Sequence, residues 1–286
     1  MKKIIFSVII VLIFNNGFSQ NKIELNFKTK FYDAIDKYVA FPKKEKDTTF
    51  AYGFIYIDQT AGITFRYEGN FKEKNGKLIS TKKISNSMMI YRLSAKTNNV
   101  HLLNEKQIKE LKLPKTPEWL DVYKSNENSP EYLKDIGNHL NHVGAVKNAL
   151  IPLLKAYKLK PHLKGLEFEL SFAYNALKKF EKAIEILENA IKNNPNDYQF
   201  YRELGYSYMN LGKTKEAEKT YLKGIKISKS DFEKSEMSVN MAQAYFKEKN
   251  EKKFNEWSER TLKYAKEGSQ YAKYIEYFKN EWNKKK

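Results

Sequence analysis

The sequence predicts a mostly α-helical protein: an α-solenoid of about four helical hairpins closed by a C-terminal capping helix and preceded by a small α+β domain. One observation is a period of 34 residues between Pro130 and Asp231. Another is the recurrence of small residues at fixed positions of that period, because helices packed about 8–10 Å apart tolerate only small side chains where their axes come closest. The third is the alternation of apolar residues and turn signals in the first half of the chain.

Small residues fill three columns of the period, and large apolar residues recur beside them. The small columns are Gly137, Ser171 and Gly205; Ala149, Ala183 and Ala217; and Ala156, Ala190 and Gly224. The large apolar residues are Leu140, Tyr174 and Tyr208, and Leu153, Leu187 and Tyr221. Pro161 and Pro195 end the first two units, because proline cannot continue a helix. Each unit is therefore predicted to be a pair of helices.

These residues resemble the tetratricopeptide repeat, which carries aromatic residues and a Leu-Gly pair in its first helix, alanines in its second and a closing proline. The third unit matches at Tyr201, Leu204, Gly205, Tyr208, Ala217 and Tyr221. The second matches at Leu170, Tyr174, Phe180, Ala183, Leu187, Ala190 and Pro195. The resemblance covers Pro130 to Lys286 and implies units at about 130–163, 164–197, 198–231 and 235–268, with a cap at 269–283.

The first and fourth units depart from the repeat pattern. Pro152 falls in the second helix of the first unit, where it is expected to kink that helix or shift its start. Three extra residues precede the fourth unit, and Phe254 stands where alanine is expected. The last segment places four large side chains on one helical face, which predicts a helix that covers the end of the array: Tyr271, Ile275, Phe278 and Trp282.

The first residues have the pattern of an export signal. Two lysines precede an apolar run from Ile4 to Phe14, and small residues follow. The run is shorter than the roughly 20 residues that a membrane-spanning helix needs, so we expect a signal peptide at 1–19 that is cleaved near Gln20. The mature chain is then expected to be periplasmic or extracellular, with an α+β domain at 20–126 and a repeat domain at 127–286.

The charge and arginine content of the chain argue against one class of partner, nucleic acids. The formal net charge is +18, yet only four of the 52 basic residues are arginine, the residue preferred for bidentate recognition of phosphates and bases. The basic residues are spread over both halves of the chain rather than forming a stripe. We therefore expect no nucleic-acid partner. The absence of cysteine excludes disulfides and the lipid attachment of a bacterial lipoprotein, and it leaves packing as the source of stability.

The elements of the α+β domain follow in order. Apolar residues at helical spacing predict an opening helix from Lys28 to Ala40. Asn75-Gly76 predicts a tight hairpin turn. The predicted strands are Phe50–Ile57, Ile63–Phe71, Lys77–Thr81 and Met88–Ser94.

Two short helices are predicted to complete this domain. The sequence from Asn104 to Gln107 resembles a capping box and predicts a helix that ends before Pro114. Thr116-Pro117 is predicted to cap another helix, which carries Trp119 and Leu120.

Both faces of the predicted strand at 50–57 are apolar. Tyr52, Phe54 and Tyr56 alternate with smaller apolar residues. One interpretation is an exposed aromatic platform that binds a ligand, and the other is a sheet packed between helices on one side and the repeat array on the other. We favour the packed sheet, because contiguous exposed apolar patches are uncommon on soluble proteins.

Little in the sequence supports catalysis, a cofactor or a metal. It contains no phosphate-binding loop, nucleophile elbow, HExxH motif or calcium loop, and only four histidines. His139 and His142 lie three apart on a predicted helix, but histidines without a carboxylate or cysteine at metal spacing more often cap a helix or line a groove. We therefore expect a protein that is not an enzyme and holds no cofactor. An enzyme site assembled from distant residues of the first domain would leave no local motif.

The repeat resemblance implies a concave face built from every first helix. The residues carried over to it are Glu131, Lys134, Asn138, Asn141 and His142; Phe168, Phe172 and Asn175; Gln199, Arg202, Tyr206, Met209 and Asn210; and Val239, Gln243 and Phe246. Amides can bond an extended peptide backbone, and aromatic rings can hold its side chains. The alternative is that these residues are ordinary surface and inter-repeat contacts.

Some arrays of this family bind a C-terminal carboxylate with a clamp of lysine, asparagine and arginine. Lys134 and Asn138 resemble the first pair of that clamp, but Glu169, Gln199 and Glu203 occupy the remaining places. We expect the clamp to be absent, because two glutamates repel a carboxylate.

The sequence thus predicts an exported interaction protein that binds a peptide or protein segment in the concave groove of its array. The alternative is a structural adaptor of a cell-envelope assembly, in which the first domain binds the client and the array is a spacer.

Overall fold

The computed structural model describes residues 23–81 and 88–284. The predicted signal peptide at 1–19 lies outside these residues. None of the helices in the described part of the chain has the length and apolar character needed to cross a membrane.

An antiparallel sheet forms the N-terminal part of the protein. Its strand order is β4-β3-β2-β1-β6, and β5 pairs with β3 beside β4. Asn75 and Gly76 both have positive φ, as a two-residue hairpin turn between β3 and β4 requires, which confirms that prediction. The strands are β1 (Lys37–Ala40), β2 (Phe50–Asp58), β3 (Gly62–Lys74), β4 (Lys77–Thr81), β5 (Met89–Arg92) and β6 (His101–Leu102).

The prediction of one opening helix is wrong. The segment contains a single 3₁₀ turn at Phe31–Ala34 and then strand β1. Asp36 has a φ of 61° between them, a conformation that ends the helical turn, and its N–H donates to the carbonyl of Ile55 at 2.7 Å. Pairing with β2 and β6 on both sides outweighs the helical spacing of the apolar residues, because tertiary context overrides weak local preferences.

Helices α1 (Glu105–Glu110) and α2 (Leu120–Lys124) pack near one face of the sheet. The capping box is confirmed, because the Asn104 side chain accepts from the Gln107 N–H and the Gln107 side chain accepts from the Asn104 N–H. The predicted cap of α2 is wrong. Trp119 rather than Thr116-Pro117 occupies its N-cap position.

The sheet has two buried faces, which confirms the prediction of a packed sheet. On one face, Tyr38, Phe54 and Tyr56 join a core with Leu111 and Leu120. On the other face, side chains of the sheet share one continuous core with the first two helical hairpins and the first helix of the third. The sheet residues of that core include Val39, Ile55, Ile57, Ile63 and Phe65.

Consecutive helices form four hairpins and a final helix. The hairpins are α3 (Pro130–His142) with α4 (Val146–Leu159), α5 (Leu166–Ala176) with α6 (Phe180–Asn193), α7 (Tyr198–Asn210) with α8 (Thr214–Ile227), and α9 (Asp231–Lys247) with α10 (Glu251–Tyr264). The last helix is α11 (Gln270–Asn283). Pro152 does not set the start of α4, which begins at Val146 and continues past the proline.

Two glycines of the first small column lie against the second helix of their own hairpin. A Cβ on Gly137 would lie 2.3 Å from Leu153 Cγ, and one on Gly205 would lie 2.5 Å from the ring of Tyr221. Leu153 and Tyr221 are fully buried, so neither can move toward solvent. These glycines are therefore required by close helix packing.

We expect Gly205→Ala to destabilise the protein by about 1 kcal/mol or more, because an overpacked core costs more than the helix propensity that alanine gains. Chemical denaturation would measure the change. Gly224→Ala is the graded comparison and should cost less, since its Cβ would meet the flexible end of Met237 at 2.7 Å and Tyr201 Cβ at 3.0 Å rather than a rigid ring at 2.5 Å. Adding Tyr221→Leu should restore part of the loss. A Gly205→Ala variant at least as stable as the natural chain would contradict this packing.

The fourth hairpin is complete despite its departures from the repeat pattern. Helix α9 begins at Asp231, so residues before the predicted start of the unit are helical. Phe254 is buried, and its ring stacks on Trp282 of α11 with centroids 5.1 Å apart. The capping helix therefore covers the large ring that stands at the alanine position. The predicted cap is confirmed by the burial of Ile275 and Phe278.

Candidate functional site

The first helices of the hairpins stand side by side. Each of α3, α5 and α7 contacts the next first helix, and α11 continues the row by packing on α9. We call the open side of this row the first-helix face. It is the surface on which the repeat resemblance places the predicted groove.

Two exposed aromatic residues stand on neighbouring helices of this face. Phe172 on α5 is 37% exposed and Tyr206 on α7 is 39% exposed. Phe168 supports Phe172 at a centroid distance of 6.5 Å, and the Arg202 guanidinium lies 5.4 Å from the Phe168 ring. Phe180 contacts Tyr206 edge to face. Aromatic side chains that keep this exposure while fixed by neighbours can bind apolar groups with little loss of entropy.

Two predicted groove amides are buried between hairpins instead. Asn141 Nδ2 donates to the Glu169 carbonyl at 3.0 Å and to Glu169 Oε2 at 2.9 Å. Asn175 Nδ2 repeats the pattern on Glu203, at 3.2 Å and 3.0 Å. Both asparagines are about 5% exposed or less. They join successive first helices and are not available to a ligand, which corrects the expectation that they line the groove.

The two asparagines differ in their second bond. Asn175 Oδ1 accepts from Ser207 Oγ at 2.7 Å, whereas Asn141 Oδ1 has no donor among the described residues. The position equivalent to Ser207 in the previous interface is Ala173, which carries no hydroxyl. The buried asparagine between the first two hairpins therefore lacks one hydrogen bond that the asparagine of the next interface makes.

Arg202 stands at the centre of a cluster of carboxylates. Its guanidinium lies 2.7 Å from Glu233, 3.3 Å from Glu203 and 3.7 Å from Glu236. Burial raises the pKa of Glu203, although Arg202 and Asn175 oppose this change. Arg202 was predicted to face a ligand, but most of its hydrogen-bonding capacity is used within the protein. One guanidinium balances three carboxylates, so the cluster carries an excess of negative charge when all three are ionised.

A cleft of about 640 Å³ lies between α9 and α11, at the C-terminal end of the face. Gln243 and Val239, both carried over from the repeat register, form its α9 wall together with Asn240 and Glu236. The opposite wall comes from α11 and is aromatic: Tyr271, Tyr274, Tyr277 and Phe278. The repeat pattern predicted α11 only as a cap and gave no indication that these tyrosines line a cleft.

The other predicted groove residues have mixed positions. Lys134 pairs with Asp135 at 2.9 Å, and Asn138 donates to Glu169. Phe246 packs on Phe254, Phe278 and Trp282 and belongs to the core under the cap. Four others are exposed or half-buried: His142, Gln199, Met209 and Asn210. Their role in binding stays a prediction.

The two histidines of α3 lie in different environments. His139 Nε2 lies 2.7 Å from the carbonyl oxygen of Gln59 and fixes α3 to the β2–β3 turn, while His142 is exposed. Within residues 23–81 and 88–284, no group of three or more histidines and carboxylates has the geometry of a metal site.

Comparison with known proteins agrees with the repeat architecture. Residues 174–233 match the family model described as tetratricopeptide repeat. No curated protein shows significant similarity to the chain.

Solved structures similar to the chain are distant in sequence. TTC0263, a thermophilic TPR protein in Thermus thermophilus, is 21% identical, with a TM-score of 0.46 over 55% of this chain and 87% of that one. MamA is 22% identical, with a TM-score of 0.45 over 56% and 87%. MamA from Desulfovibrio magneticus RS-1 is 20% identical, with a TM-score of 0.45 over 51% and 81%.

Proposed function

We propose that this chain, which carries a tetratricopeptide repeat array, is an exported, non-enzymatic module that binds a peptide or protein segment along its first-helix face. The array itself is a protein-interaction fold. Export rests on the signal pattern at 1–19 and implies a periplasmic or extracellular location.

The exposure of Phe172 and Tyr206 carries the proposal. Other large side chains of the first helices, such as Leu170 and Leu204, are buried in the hairpin cores. The two rings instead face solvent on adjacent helices, where their burial under a partner would release ordered water from apolar surface. Aromatic anchors of this kind often contribute much of the binding energy of an interface.

A capture experiment tests this surface. We expect the double variant Phe172→Ala, Tyr206→Ala to lose most captured partners from a cell-envelope extract, with each ring contributing about 1–2 kcal/mol. The matched control is Leu154→Ala, Leu222→Ala, which removes side chains of similar exposure from second helices. Unchanged capture by the double variant would contradict the proposal, and so would an equal loss in the control.

One observation favours the alternative, in which the N-terminal domain binds the client. A cleft of about 530 Å³ lies between the sheet and α1, with Tyr38, Phe54 and Ile108 in its wall and Lys37 and Lys109 beside them. Capture that survives the Phe172 and Tyr206 substitutions but is lost on Ile108→Asp would favour this adaptor function.

A further inference from the structure

The cleft between α9 and α11 combines aromatic walls with a single carboxylate. Tyr274 and Tyr277 are 43% and 57% exposed, so their rings are open to a ligand. Glu236 is the only ionisable acid or base among the lining residues apart from the tyrosines. Its carboxylate lies at the inner wall, where α9 approaches the Arg202 cluster.

Arg202 does not contact the three neighbouring carboxylates equally. Arg202 bonds Glu233 at 2.7 Å and contacts Glu203 at 3.3 Å, whereas Glu236 is the most distant of the three, at 3.7 Å. The guanidinium is thus engaged mainly by the other two carboxylates. Of the three carboxylates, Glu236 has the longest contact with Arg202, and it lines the cleft.

Electrostatics around Glu236 favour a second cation. Burial raises the pKa of Glu236, and Arg202 opposes this rise. Repulsion from Glu233 and Glu203, together with a side-chain hydrogen bond to Glu233, adds to the rise. A cation placed in the cleft would stabilise the ionised carboxylate. An anionic group would be repelled, and a purely apolar group would bury the carboxylate further without a partner.

We propose that this cleft binds the basic side chain, arginine or lysine, of the partner segment that lies along the first-helix face. The apolar stem of such a side chain packs against Tyr271 and Phe278, and its cationic end lies between the tyrosine rings and Glu236. The Gln243 amide can bond the adjacent peptide backbone. This inference rests on the proposed function and adds the chemistry of one subsite to it.

The high positive charge of the whole chain does not oppose this binding strongly. At physiological ionic strength, charges separated by more than about 8 Å are largely screened, so the nearest groups decide the local preference. Among the residues that line the cleft, the charged group is acidic.

A titration with single amino-acid derivatives tests the cleft directly. The probes are N-acetyl-arginine amide and N-acetyl-citrulline amide, which have nearly the same shape but differ by one positive charge. The readout is the side-chain amide resonance of Gln243 in the full chain, assigned from its loss in Gln243→Glu. We expect saturable shifts with the arginine probe at about 1–10 mM, and at least roughly five-fold weaker binding of the citrulline probe.

Variants distinguish the effect of the Glu236 charge on binding from an effect on folding. Glu236→Gln should reduce arginine binding to the citrulline level, and Tyr277→Leu should weaken it roughly two- to five-fold. The control Glu276→Gln removes one carboxylate from another surface of α11 and should leave binding unchanged. Thermal unfolding of Glu236→Gln should show no loss of stability, because burial and like charge disfavour the ionised carboxylate.

Equal binding of the two probes, or no perturbation by either, would overturn the inference, as would equal losses in Glu236→Gln and Glu276→Gln. These results would leave the proposed function intact if the Phe172 and Tyr206 substitutions still abolish capture. Conversely, arginine binding with capture unaffected by those substitutions would remove the proposed function and leave only a cleft for basic side chains.

Discussion

An array that begins at residue 127 is expected to unfold about 6 °C or more below the full chain and to expose apolar surface. Its first helix would lose the sheet that covers it. Truncating even one buried isoleucine side chain to alanine costs about 2–5 kcal/mol, which lowers the melting temperature by several degrees. Thermal unfolding, binding of a hydrophobic dye and size-exclusion chromatography would measure the change.

The expectation follows from the face that α3 turns to the sheet. Tyr132, Asp135, Ile136 and His139 recur at spacings of three and four and therefore lie on one side of the helix. Asp135 accepts from Gln59 Nε2 at 2.9 Å, His139 bonds the carbonyl of the same residue, and Ile136 is buried in the core that includes sheet residues. The sheet therefore covers the N-terminal end of the array, in the way that terminal caps cover other repeat arrays.

Substitution of Ile136 by glutamine is expected to have opposite effects in the full chain and in the shortened array. In the full chain it should destabilise the protein, because a polar amide would enter the shared core. In the shortened array it should improve solubility, because the same position would face water. A shortened array with the stability of the full chain would show that the sheet is not needed as a cap, and that the predicted boundary at 126 separates independent folding units.

Much of the repeat architecture could be predicted because it depends on short-range periodicity. Gly137 and Gly205 stand two periods of 34 residues apart, and the helix crossings that require them recur with the same spacing. The hairpin turn at Asn75 and Gly76 could be predicted for a similar reason, since two consecutive residues with positive φ favour that pair.

The burial of residues on the first helices was predicted only in part, because burial depends on contacts between helices. Asn141 and Asn175 share the register of exposed groove positions, but each is drawn into the interface by a glutamate 28 residues later. Glu236 lies 34 residues after Arg202, so the unbroken period places it beside Arg202 on the next first helix. The three extra residues assumed before the fourth unit concealed this, because α9 already begins at Asp231. Tyr274 and Tyr277 could have been noticed as a second aromatic stripe next to the capping face of α11.

Trp257→Ala is expected to destabilise the fourth hairpin by about 3–5 kcal/mol, as the removal of a large buried aromatic side chain usually does. The indole is fully buried, and its Nε1 donates to Glu218 Oε1 on α8 at 2.9 Å. Tyr245 and Lys253 donate to the same carboxylate at 2.8 Å and 2.9 Å. Burial raises the pKa of Glu218, but these three hydrogen bonds outweigh it, and the pKa lies below its ordinary value.

Glu218 therefore joins the third hairpin to both helices of the fourth. Because repeats contact mainly their neighbours, loss of Trp257 should unfold the C-terminal end of the array before the rest. Hydrogen exchange should accelerate first in α9, α10 and α11, while the sheet and the first two hairpins keep their protection. Trp257→Phe retains most of the ring and should lose only about 1 kcal/mol, for the missing hydrogen bond.

Leu262→Ala is the matched control, since it shortens a side chain of the same helix that is 42% exposed. It should leave exchange almost unchanged. If Trp257→Ala instead accelerated exchange equally in the sheet and in α11, the chain would unfold as one cooperative unit. The cleft between α9 and α11 would then be as stable as the core of the sheet, and a partner bound there would stabilise the whole chain rather than its C-terminal end.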